Sequence, residues 1–175
     1  MSGRGRVASL AIIVLLAAAG ACGGSGGSAS KNQGTGAKQI KTLQPNLVPD
    51  GIEGLKVAQQ DVSDAVQRSR QAYVDAFSLY GMRTPDDLLE ATLEVTRFNP
   101  DAAYKTEQFR QSVVGQIGSS KALPVRMANT TVYQTTGKQQ EISVWFQDRY
   151  LFVLSVRSDF AQPRALLRQM VGVKP

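Results

Sequence analysis

Hydrophobic positions in this chain recur with two periods, and the switches between them predict the elements. Ile142, Val144 and Phe146 alternate with polar residues, Gln147-Asp148-Arg149 interrupts, and Tyr150, Phe152, Leu154 and Val156 resume the alternation. A period of two is that of a β-strand, so this stretch predicts a hairpin turning near Asp148. Its second arm is apolar on nearly both faces from Leu151 to Leu154, as expected of a central strand covered on each side. Ala91, Leu93 and Val95 alternate with Thr92, Glu94 and Thr96 and predict another strand ending near Phe98. Val125 to Thr136 reads as one more, and Ile52, Leu55 and Val57 as a short one.

Elsewhere the spacing is helical. Val62, Val66, Tyr73 and Phe77, flanked by Ala65, Ala72 and Ala76, form an apolar stripe, with Asp61 or Ser63 placed to cap its start. Gly81 and Pro85 are read as its stop. The Asn99-Pro100-Asp101 turn precedes a second helix carrying Phe109, Val113 and Ile117 on one face and ending at Gly118. A third runs from Pro163, which suits a first turn, through Leu166, Leu167, Met170 and Val171 to Gly172. The expected order is strand, helix, strand, helix, three strands, helix. That is an α+β fold: a mostly antiparallel sheet of about four to five strands with two to three helices packed on one face.

The N-terminal region follows different rules. Arg4 and Arg6 precede an uncharged apolar run from Val7 to Ala19, and small residues then lead to Cys22, the only cysteine. These are the three zones of an export signal, and the run is shorter than the roughly 20 residues a membrane-spanning helix needs. Ala19-Gly20-Ala21 suits an ordinary signal peptidase, which would release a soluble chain beginning at Cys22. Ala19-Gly20-Ala21-Cys22 also resembles the lipobox of bacterial lipoproteins, with Ala19 in place of the usual leucine. That resemblance implies a diacylglyceryl group on Cys22. A lone thiol cannot form an internal disulfide, which favours this second reading. Ser25 to Thr42 is rich in Gly, Ser, Lys, Gln and Asn, a composition that buries too little to order itself. The expected organisation is a signal peptide over 1–21, the lipidated cysteine and a disordered linker over 22–43, and a single domain over 44–175. The element order resembles the compact α+β lipoprotein domains of high-GC Gram-positive bacteria, including those with a PsbP-like or Mog1-like fold; this implies a fold and no activity.

Composition narrows the chemistry. The 175 residues include 20 basic and 14 acidic side chains, for a formal charge of +6, and the basic residues form no dense block. Such an excess favours anionic surfaces such as lipid headgroups or wall polymers. No nucleic-acid motif accompanies it. Histidine is absent, which removes serine-histidine triads, the commonest general base and the commonest metal ligand. Ser119-Ser120-Lys121 follows a helix end and reads as a solvated loop. Asp86-Asp87 reads as a turn, and Asp61 with Asp64 as helix-cap charges. No nucleotide-binding glycine pattern or calcium-loop spacing is present. No metal and no cofactor are expected.

Aromatic residues are the remaining candidates for contact. Trp145 points to the opposite side of its strand from Val144 and Phe146, either beneath a helix or to solvent; exposed beside Arg149 or Tyr150 it would make a binding surface. Tyr80, Arg83 and Tyr104 are candidates for a second. The sequence therefore leads to a non-catalytic binding module, anchored by lipid on the extracytoplasmic face of the cell membrane, with an envelope protein or wall polymer as partner and no nucleic acid. The alternatives are an envelope hydrolase or transferase working through Asp86, Asp87, Glu90, Glu94 or Glu141, and a carrier of a hydrophobic ligand.

Overall fold

Strand pairing dominates the molecule. The computed structural model describes residues 41–43, 47–62, 74–100, 106–117 and 121–173. Nine strands form one sheet: β1 (Lys41–Thr42), β2 (Gly51–Ile52), β3 (Leu55–Gln60), β4 (Val74–Arg83), β5 (Leu89–Phe98), β6 (Leu123–Met127), β7 (Thr130–Thr136), β8 (Gln140–Gln147) and β9 (Tyr150–Arg157). Their order is β2-β3-β4-β5-β9-β8-β7-β6, antiparallel throughout, and β1 adds a short parallel pairing to β4. Two helices are described, α1 (Glu107–Gln116) and α2 (Pro163–Gly172).

Register assigns every strand residue to one of two faces, because side chains alternate. Tyr80, Leu93, Leu154 and Ser143 share one row, and Ser78, Val95, Phe152, Trp145 and Val132 share the next. This face packs under Leu166, Leu167, Met170 and Val171 of α2, with Leu43, Val48, Ile52 and Leu55 in the same core. On the opposite face Leu151, Val153, Ile142, Val144 and Phe98 meet Val113, Val114 and Ile117 of α1 and its end. Thr106 caps α1, its hydroxyl accepting from the Phe109 N–H at 3.3 Å. Phe109 stands edge-on to Phe98, ring centroids 5.3 Å apart.

Several sequence expectations are corrected. The sheet of about four to five strands is a sheet of nine, and of the two to three helices expected, two short ones are described. The two helices cover opposite faces rather than one. The helix expected from Val62 to Gly81 gives way to strand β4 from Val74 onward; 63–73 lie outside the described residues. β4 is buried on both faces over most of its length, and a nearly continuous apolar run carries no readable period. Gly81 does not stop a helix. It lies in mid-strand where a Cβ would run into the Gln60 side chain, so its missing side chain makes room for that neighbour. The single strand expected over Val125–Thr136 is a hairpin, β6–β7, whose turn holds Ala128 at φ 49°. Lys41 and Thr42, expected in the linker, belong to the sheet, and Leu43 is buried beside them.

Candidate functional site

α2 determines which part of the sheet stays open. Its buried residues, Leu166, Leu167, Met170 and Val171, form one stripe, so its two flanks point sideways across the sheet. Gln169 on one flank donates to the Glu53 carboxylate in the β2–β3 turn. Near its end, the Gln147 side-chain amide donates to the Val171 carbonyl at 2.8 Å, satisfying an oxygen that the terminating helix leaves free. Arg164 and Arg168 occupy the other flank, both exposed and one turn apart. They look across toward β6 and the adjoining part of β7, beyond Val132, which is buried in the core under α2.

The space between is a groove in two lobes. One, of about 670 Å³, runs past the start of α2 between Pro163 and Arg164 on one wall and Lys121, Leu123, Ser143 and Glu141 on the other. The other, of about 700 Å³, lies along the end of α2 against Val125 and Met127, with Val171 as its inner wall. Gln134, Arg164 and Arg168 line both, so the lobes are continuous. Leu123 is 64% exposed, the most exposed of the large hydrophobic side chains described. Lys121, Arg164 and Arg168 have no ion-pair partner among the described residues. Arg126 reaches the rim from the edge strand, but by register its side chain belongs to the opposite face from Val125 and Met127.

The aromatic candidates do not assemble into a surface. Trp145 is completely buried (0% exposed) and stacks on Phe152, centroids 5.1 Å apart. Its indole N–H has no acceptor among the described residues. Tyr150 is half-buried and directly opposite Arg97 in the β5–β9 register. A bulge between Val74 and Ala76 swings Asp75 into the same corner, where its carboxylate meets Arg97 at 2.7 Å and Arg149 at 4.0 Å. Burial acts to lower the Arg97 pKa, but the Tyr150 hydroxyl and the Asp75 carboxylate more than reverse it, so this guanidinium stays charged. Arg149 and Tyr150 thus join a structural ion-pair cluster, apart from Trp145. Of the second aromatic set, Tyr80 is buried in the core, Arg83 pairs with Asp87, and Tyr104 lies outside the described residues, as does Cys22.

Carboxylates are equally dispersed. Asp86 and Asp87 sit in an exposed turn, with Asp87 at φ 65°. Glu90 pairs with Arg157 at 3.7 Å. Glu94 is buried on the α1 side of the sheet, four extended residues and about 13 Å from Glu90. Glu141 faces the groove alone. Among the described residues no three metal-ligating side chains gather, and no helix is long and apolar enough to cross a membrane.

No protein family, curated protein or solved structure matches the chain.

The groove escaped the sequence reading because its walls come from residues some forty positions apart. One signal was available: Arg164 and Arg168 are four apart beside an apolar helical stripe, which places both cations on one flank.

Proposed function

We propose that this chain is a non-catalytic binding module, tethered through a diacylglyceryl group on Cys22 to the outer face of the cytoplasmic membrane, and that it binds its partner in the groove beside α2. The observation that carries the reading is the open edge of the sheet at β6, where an exposed Leu123 lies opposite two arginines that have no ion-pair partner among the described residues. Exposed apolar surface bordered by polar groups is characteristic of binding sites. The dispersion of the five candidate carboxylates weighs against acid–base catalysis among the described residues. The carrier reading shares the same groove, and Leu123 favours it over contact with a purely polar polymer. A photoreactive residue at position 123 in intact cells tests the proposal. Adducts are expected there and not at Lys138, which lies outside the groove. Adduct formation at 138 alone would refute it.

A further inference from the structure

We infer that the groove takes one lipid with an acidic phosphate headgroup, drawn from the bilayer beside the tethered domain; this deepens the binding reading above and rests on it. Three features of the groove converge. Arg164, Arg168 and Lys121 present fixed positive charge with no ion-pair partner among the described residues, against one lining carboxylate, Glu141, at the Lys121 end. Among the described residues, no acid lines the lobe along the end of α2. Two guanidinium groups one helical turn apart match the several oxygens of a phosphate, which arginine binds through paired hydrogen bonds.

The second feature is apolar. Leu123, Val125, Met127 and Val171 line the floor on either side of the two arginines. A free phosphate ion has no use for that surface, and an uncharged hydrophobe has none for the unpaired cations. An acidic amphiphile uses both. The third is shape: lobes of about 670 and 700 Å³ meeting at Arg164 and Arg168 are within the roughly 300–1,000 Å³ typical of small-molecule sites. A headgroup at the junction leaves both lobes for chain. Among the described residues no aromatic ring lines either lobe, so a nucleobase finds no stacking platform there.

Trp145, the only tryptophan, lies in the same sheet face and supplies an internal donor for energy transfer. The full chain in non-ionic detergent is titrated with phosphatidylglycerol carrying a dansyl group on one acyl chain, and with phosphatidylcholine labelled in the same way. Saturable transfer is expected for the acidic lipid, at least tenfold weaker for the zwitterionic one. It should weaken at least tenfold again in the Arg164→Gln/Arg168→Gln chain, and millimolar inorganic phosphate should not displace it. All variants carry the same N-terminal apolar run, so differences among them report the groove. Equal affinity for the two lipids would overturn the acidic-headgroup inference and leave the binding module standing. Displacement by inorganic phosphate, with Leu123→Ser unchanged, would overturn the lipid in favour of an ion. Equal binding by the arginine variant would place the lipid elsewhere and overturn the inference. Absence of saturable transfer would also overturn it, and position-123 adducts in cells would then show whether the binding reading survives with another ligand.

Discussion

Trp145 lies flat on Phe152, its register partner across β8 and β9, with ring planes within 3° of parallel and centroids 5.1 Å apart. The pair sits under α2 at the middle of the core and ties the helix to the two central strands. Trp145→Ala should destabilise the domain by about 3–5 kcal/mol, the range for large buried aromatics. Trp145→Phe should cost distinctly less than its lost volume suggests. The indole N–H is buried without an acceptor among the described residues, and removing an unsatisfied donor recovers about 1–3 kcal/mol. Urea unfolding of the three chains measures both differences.

Asp75 is the extra residue of a β-bulge, and its carboxylate is shared between Arg97 and Arg149. Asp75→Asn should destabilise by about 1–2 kcal/mol, because a charge-assisted hydrogen bond in a half-buried corner is lost. A double-mutant cycle with Arg97→Gln should recover part of that loss as coupling. Additive effects would assign the cost to packing at the bulge.

Tyrosine ionisation sets an alkaline limit. Burial raises the Tyr80 pKa above its ordinary value near 10.0, with the Ser78 hydroxyl partly offsetting it. Tyr133 is raised as well, by burial and then by the Glu107 carboxylate beside it. A raised folded-state value means the fold prefers the protonated phenol. The stabilisation is complete below pH 10 and is lost as the pH climbs from there through the raised folded values. Tyr80→Phe should flatten this loss in denaturation curves recorded between pH 9 and about 11.5, at the cost of the hydroxyl's contact with Ser78.

Ala128 turns the β6–β7 hairpin with φ 49°, a region where an alanine Cβ is crowded. Ala128→Gly should stabilise the domain by about 0.5–1 kcal/mol. A thermal midpoint that falls instead would show that the turn tolerates alanine at no cost.

The Cys22 proposal makes its own prediction. Cells fed a fatty-acid analogue should label the wild-type chain and leave Cys22→Ser unlabelled, with the variant released from the membrane fraction or retained uncleaved. Equal labelling of both would rule out the thioether.

What could be read from the residues follows from burial. The β8–β9 hairpin was legible because Ile142, Val144 and Phe146 face α1 while their neighbours face α2, and because Asp148, at φ 50°, interrupts the run as a turn residue. α2 was legible from Pro163 and its apolar stripe. β4 was not, since Ala76, Tyr80 and Met82 are buried on one face and Phe77 on the other, and alanine-rich apolar spacing before them also fits a helix. The β6–β7 turn at Ala128-Asn129 carries neither glycine nor proline, so the two arms ran together. Trp145 followed the alternation correctly to its own face, but only the position of α2 determines that this face is covered there and open at Leu123.

The claim that the open face beside α2 is the binding site is tested most directly by photo-crosslinking from position 123 in cells, in the unaltered chain and in one carrying Arg164→Glu and Arg168→Glu. The account predicts a strong adduct in the first and at least a tenfold smaller yield in the second, at equal protein level. Equal yields from the two chains would contradict it.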